Sequence, residues 1–224
     1  MYTTLLFDVD DTLLDFGKTE YYALNETLKQ LGLICTDEIV KTYNGINVKL
    51  WEKYQKGEIT KKRLVVKRFE LLAERYGFDF DACMANEIFI SNTSRGFFEI
   101  DGAKDALIKL KEKYDVYAVT NALLKVSTAR LKGSGFYDLF LKVFNSDQIG
   151  ASKPNKEFFD VVFREINEKD KSKILIVGDS LSSDILGGIN NGIDTAWVNP
   201  NGKTTDLPVT ITVKSVSELI NILL

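Results

Sequence analysis

The chain has 224 residues, 45% hydrophobic and 27% charged, with a formal net charge of −3 and a pI of about 5.2. That length supports one large core, or a core with a smaller second domain, and the acidic balance gives no basic footprint for nucleic acid or an anionic membrane. The sequence holds no histidine, which excludes a Ser-His-Asp triad, a phosphohistidine mechanism and imidazole-based zinc sites. No uncharged apolar run reaches the about 18 residues of a spanning helix. The N-terminus runs straight into a strand with no basic region or cleavage site, so a cytoplasmic location is expected. The two cysteines, Cys35 and Cys83, form no CxxC pair. Neither has an arginine six positions on, where Lys41 and Phe89 stand, so a cysteine-phosphatase loop is absent. Both thiols are expected to be buried helix residues.

In chain order, the first element is a short apolar strand over 3–8. Helical character follows from Lys18 to about Arg95, with Val65, Phe69, Leu72 and Tyr76 on one face of a helix. Thr36 and Thr60 read as helix starts, and Gly32, Gly57 and Gly77 as stops. Three to four helices packed as a bundle are expected. After Gly102 the pattern alternates: a helix over 103–113, a strand over 116–120, a helix over 124–132 and a short strand near 143–145. A helix over 156–167 leads to a strand over 174–179, and another over 183–191 to a strand over 195–198. An edge strand at 209–213 and a final helix through Val216, Leu219, Ile220 and Leu223 complete the series. Apolar strands separated by helices predict an α/β, Rossmann-like core with a parallel sheet covered on both faces. The helical block interrupts that scheme directly after the first strand. The expected division is therefore a core of 1–15 and 98–224 with an inserted α-helical domain of 16–97, hinged at 15–17 and 99–102.

In an open parallel sheet the carboxyl ends of the strands gather on one edge, where ligands bind. Here they carry Asp8, Asp10 and Thr12, then Thr120-Asn121, then Gly178-Asp179-Ser180 with Asp184 beyond, while Ser152-Lys153-Pro154 precedes a helix. Carboxylates buried at such a point cost several kcal/mol unless paired or holding a cation. A carboxylate and a phosphate charge 4 Å apart repel by roughly 4 kcal/mol at an effective dielectric of about 20. Mg²⁺ between Asp8, Asp179 and a phosphate oxygen turns that repulsion into a bridge. Lys153 and Thr120, with Asn121 beside them, suit the remaining phosphate oxygens. Asp8 is then the candidate nucleophile, forming an aspartyl phosphate, and Asp10 the general acid and later base. The implied partner is a small-molecule phosphate ester.

Asp8-Val9-Asp10-Asp11-Thr12, Thr120-Asn121, Ser152-Lys153-Pro154 and Gly178-Asp179-Ser180 with Asp184 resemble, in order, the four motifs of the haloacid dehalogenase superfamily. The helical insert resembles that family's cap of the first type. The resemblance implies that Asp8 and Asp179 are metal ligands, that Asp10 adds a backbone carbonyl, and that Asp184 orders the metal's waters or Lys153. Residues 50–60, Arg68-Phe69-Glu70 and Ala73-Glu74-Arg75 of the cap are similar to the bacterial pyrimidine nucleotidase branch, as are 153–156 and 184–190. That similarity implies a pyrimidine nucleoside 5'-monophosphatase. A sugar-phosphate or phosphoglycolate phosphatase is the alternative, with a phosphomutase, a dehalogenase or a non-catalytic binding module behind it. Ala122 stands where glycine is expected, and Asp101 where proline is common, with a helix N-cap as its simpler role. Trp51, Tyr54 and Phe69 are expected to pack, Arg68 and Arg75 to lie on solvated or ion-paired faces, Asp11 to be a solvated neighbour, and Gly187-Gly188 to permit close helix packing.

Overall fold

The computed structural model describes residues 1–224. In chain order the elements are β1 (Thr4–Phe7), α1 (Phe16–Gln30), α2 (Asp37–Gln55), α3 (Lys61–Tyr76), α4 (Ala82–Thr93), α5 (Ala103–Lys111), β2 (Asp115–Thr120), α6 (Leu124–Gly133) and β3 (Lys142–Asn145). They continue with α7 (Ser146–Ile149), α8 (Lys156–Glu165), β4 (Ile174–Gly178), α9 (Leu186–Asn191), β5 (Asp194–Val198), β6 (Ile211–Val213) and α10 (Leu219–Leu223). The chain forms two compact units, Met1–Phe16 with Phe97–Leu224, and Gly17–Gly96.

The first unit holds a six-stranded sheet in the order β3-β2-β1-β4-β5-β6. Every neighbouring pair is parallel, so the strands are joined by crossovers that cover both faces. β1 is central and buried along its whole length. Because side chains alternate along a strand, Leu5 and Phe7 join one core with Leu107, Leu110, Leu175, Val177 and Leu219. Leu6 points the other way, into Val119, Phe144, Phe158, Phe159, Val162 and Ile176. Topology therefore places the carboxyl ends of β1, β2 and β4 side by side. The chain segments that lead out of and back into this unit run together: Leu14 bridges Glu99, Asp15 N–H donates to Phe98 O at 2.9 Å and Ile100 N–H donates to Leu13 O at 3.0 Å.

The second unit is a bundle of α1–α4 around Leu24, Leu28, Tyr43, Phe69, Leu72 and Phe89. The Phe69 ring lies 5.7 Å from Tyr43 and 5.4 Å from Phe89, so Phe69 is a packing residue, and half-buried Trp51 and Tyr54 meet edge to face at 5.5 Å. Thr36 and Thr60 accept from the N–H groups of Ile39 and Arg63 at 3.3 Å each, satisfying donors the helix cannot. No helix of the chain is long and apolar enough to cross a membrane.

Several local expectations change. Arg68 is not on a solvated face; it is buried, donating to Val65 O and Asn86 Oδ1 at 3.1 Å each, with its guanidinium 4.4 Å from the Phe89 ring centre. The planar guanidinium can be buried because its flat faces stack while its edge hydrogen bonds. Arg75 is exposed, as expected. Neither cysteine is a buried helix residue: Cys83 is exposed, and half-buried Cys35 precedes the Thr36 cap of α2. Asp101 does not cap α5; Gly102 holds that position at φ 73°. The helix expected over 183–191 is a π-turn, Leu181–Ile185, followed by α9. A Cβ on Gly187 would lie 2.8 Å from the Phe159 ring and one on Gly188 2.5 Å from Thr195, so both glycines serve close packing.

Candidate active site

Four segments meet at the carboxyl edge of the sheet. At the end of β1, Asp8 N–H donates to Val177 O at 2.8 Å, so Asp8 still belongs to the ladder with β4. The chain then turns sharply: the N–H groups of Leu13 and Leu14 both donate to Val9 O at 2.9 Å. Asp11 sits at the crest with φ 59°, and its carboxylate accepts from Phe16 N–H at 2.9 Å. Aspartate tolerates this left-handed conformation because its short side chain bonds locally. Asp11 is therefore a turn-forming residue rather than a merely solvated one. Thr12, fully buried, reaches Asp8 Oδ2 at 3.4 Å.

Lys153 is the centre of the arrangement. Its side chain is 1% exposed, and the ammonium donates to Asp8 Oδ1 at 2.7 Å, Asp184 Oδ1 at 2.6 Å and Val119 O at 2.7 Å. Three donors meet three acceptors, so the buried ammonium is fully satisfied. At the end of β2, Asn121 clamps the lysine's backbone, with Nδ2 donating to Lys153 O at 2.9 Å and Oδ1 accepting from Lys153 N–H at 3.0 Å. The Asn121 amide thus fixes Lys153, while the buried Thr120 hydroxyl accepts from Ala122 N–H at 3.1 Å. Ala122 does not adopt positive φ, so its methyl group is unstrained.

After β4, the π-turn brings Asp184 back beneath the strand end, where Ser180 N–H donates to Asp184 Oδ2 at 3.1 Å. This close return needs glycine at 178, since a Cβ there would lie 2.3 Å from Asp184 Oδ2. Asp179 precedes the turn, its carbonyl accepting from Trp197 Nε1 at 2.8 Å. Oxygens of Asp8, Asp179 and Asp184 lie within 4.8 Å of one another. The Asp10 carboxylate pairs with Arg130 of α6 instead, whose side chain is completely buried. Arg130 was not anticipated from the sequence. The available signal was its position four residues after Val126 and next to Leu131, on the apolar face of its helix.

Burial, reinforced by the charges of neighbouring aspartates, holds the Asp8 and Asp179 carboxyls well above the usual carboxylate range, although Lys153 pulls both down. Burial alone would lower the Lys153 ammonium; Asp184 and Asp8 more than offset it and raise it. Three carboxylates around one ammonium leave excess negative charge in a desolvated place. Hard carboxylate oxygens that converge in this way fit a divalent cation such as Mg²⁺. Adding Mg²⁺ is expected to raise the unfolding temperature, by about 2.7 kcal/mol of added stability at a hundredfold excess over Kd. Scanning calorimetry with Mg²⁺ and with EDTA measures this, and Asp179→Asn should remove most of the shift. Equal transitions in both buffers would count against a cation here.

Comparison with known proteins agrees with this architecture. The model of the haloacid dehalogenase-like hydrolase family matches residues 5–198. HAD-hydrolase YfnB of Bacillus subtilis is 36% identical over 99% of this chain and 95% of its own length. A crystal structure of YfnB bound to magnesium superposes with a TM-score of 0.95, covering 99% of this chain and 98% of that one. Pyrimidine 5'-nucleotidase PynA of Streptococcus pneumoniae is 37% identical over 89% of this chain and 85% of its own. Pyrimidine 5'-nucleotidase YjjG of Escherichia coli is 33% identical over 96% and 95%, respectively. With its parallel sheet, its acidic strand-end cluster and a family match spanning most of its length, the chain belongs to the haloacid dehalogenase-like hydrolases.

Proposed function

We propose that the protein is a Mg²⁺-dependent phosphomonoester hydrolase that works through an aspartyl phosphate and acts on pyrimidine nucleoside 5'-monophosphates. The observation that carries the reading is the buried Lys153 ammonium bound to both Asp8 and Asp184, beside Asp179. Asp8, Asp179 and the Asp10 carbonyl would hold the Mg²⁺, which when bound supplies positive charge against the phosphate. Lys153 holds an Asp8 oxygen and adds positive charge where phosphoryl oxygens gather charge. The other Asp8 oxygen attacks phosphorus; a P–O bond to Asp8 forms as the ester P–O bond breaks, and Asp10 protonates the departing oxygen. Water then attacks the phosphoryl group, its proton passes to Asp10, and the bond to Asp8 breaks to release inorganic phosphate.

Thr120 and Asn121 line the strand end where the phosphate would sit, Asn121 acting through its hold on Lys153. Asp184 orients Lys153 from the far side. The helical unit, 16–97 in this reading, is the cap that selects the substrate and excludes water. The pyrimidine preference is supported by relatives named as pyrimidine 5'-nucleotidases over most of both chains. A substrate panel tests it, with nucleoside monophosphates, sugar phosphates and phosphoglycolate compared by kcat/KM in Mg²⁺. UMP or dUMP should lead the other classes by at least about tenfold, a discrimination of some 1.4 kcal/mol. If either sugar phosphates or phosphoglycolate led, the base assignment would be wrong although the hydrolase chemistry stood.

A further inference from the structure

We propose that Arg130 is a positioning residue that sets where the Asp10 carboxyl points. The inference rests on the phosphoester hydrolysis proposed above and extends it to a residue outside the strand-end motifs. Arg130 projects from the buried face of α6, its side chain wholly excluded from solvent, while the Asp10 side chain keeps 24% of its surface open. The guanidinium also lies over the Phe16 ring, 5.4 Å from its centre. A buried guanidinium is costly to desolvate unless a hydrogen-bonded counter-charge offsets it. Asp10 Oδ1 is such a counter-charge.

The geometry divides the carboxylate. Arg130 holds Oδ1 while the Asp10 carboxyl stays partly open to solvent, and the open part is what exchanges a proton with the ester. Asp8, two residues earlier, is held by Lys153 and Thr12. Two neighbouring aspartates thus have separate anchors, one cation each. An anchored carboxyl meets the departing oxygen in one orientation, and proton transfer is sensitive to that geometry. A freely rotating one loses turnover wherever the leaving group needs a proton.

The experiment compares p-nitrophenyl phosphate, whose leaving group departs without a proton, with an alkyl phosphate ester, whose leaving group requires one. Arg130→Met is expected to lower kcat/KM on the alkyl ester at least about tenfold and on p-nitrophenyl phosphate less than about threefold, because kcat/KM reports the steps up to departure of the leaving group and not the later dephosphorylation that both esters share. Arg130→Lys, which keeps the buried charge without the planar fork, should recover part of the loss and preserve folding if the methionine variant is unstable. In an Asp10→Asn background, Arg130→Met should add no further loss, because both changes disable one function. Parallel losses on both esters, or a full additional loss on Asp10→Asn, would overturn the positioning role while leaving the hydrolase reading intact. If the wild type released phosphate from neither ester, that reading itself would fail and this inference with it.

Discussion

Asp8→Asn is expected to abolish phosphate release, lowering kcat by at least about a thousandfold, while the protein stays folded. The two expectations follow from the same atoms. Asn keeps the volume and an oxygen that can accept from the Lys153 ammonium, now 2.7 Å from Asp8 Oδ1. The buried cation therefore retains an acceptor, and the ladder bond from residue 8 N–H to Val177 O is a main-chain bond that no side chain alters. What is lost is nucleophilic charge, since a neutral amide oxygen or nitrogen is a poor attacking group for phosphorus. Acid-quenched reactions with labelled phosphate ester should trap label on the wild-type protein and none on the variant. Turnover by Asp8→Asn above about a tenth of wild type would rule Asp8 out as the nucleophile.

Lys153→Met is the second large effect, and it is expected in stability as much as in activity. The substitution keeps a similar unbranched volume but strips three hydrogen bonds from Asp8, Asp184 and Val119 O at once. Breaking a buried ion pair from one side leaves an uncompensated charge, a loss of about 3–5 kcal/mol, or roughly 10 °C in melting temperature for a domain of this size. Removing one stranded charge should return part of that loss, so Lys153→Met with Asp184→Asn should unfold at higher denaturant than Lys153→Met alone. Denaturant titrations of the three proteins provide the measurement. Unfolding of Lys153→Met at the wild-type midpoint would show that the lysine does not hold the acidic cluster together.

The parts of the site that were legible in the sequence are those where chemistry breaks a local pattern. Asp8 follows an apolar strand that has no reason to end in a charge, and Asp179 ends β4 in the same way. The parallel topology then brings these ends together with Lys153 without further information. Residues whose environment is set by packing were less readable. Arg68 and Arg130 each occupy a helix in which arginine is an ordinary surface residue, and only the assembled neighbours reveal them as buried. The hydrogen bonds from the Asn121 amide to the Lys153 backbone are a non-local pairing that no spacing rule encodes. Helical spacing also concealed the π-turn at 181–185, because i to i+5 and i to i+4 bonding differ by one residue in a short segment.

The paired crossing segments at Leu14 and Glu99 bear on how such a chain diversifies. Main-chain bonds from Asp15 to Phe98 O and from Ile100 to Leu13 O hold the departing and returning strands a single hydrogen bond apart. To the sheet, whatever lies between them is a closed loop of fixed gauge, whether a few residues or a whole bundle. Lengthening a closed loop adds only about 0.6 kcal/mol per doubling. Evolution can therefore exchange the intervening helices for others while the sheet and its strand-end cluster keep their register.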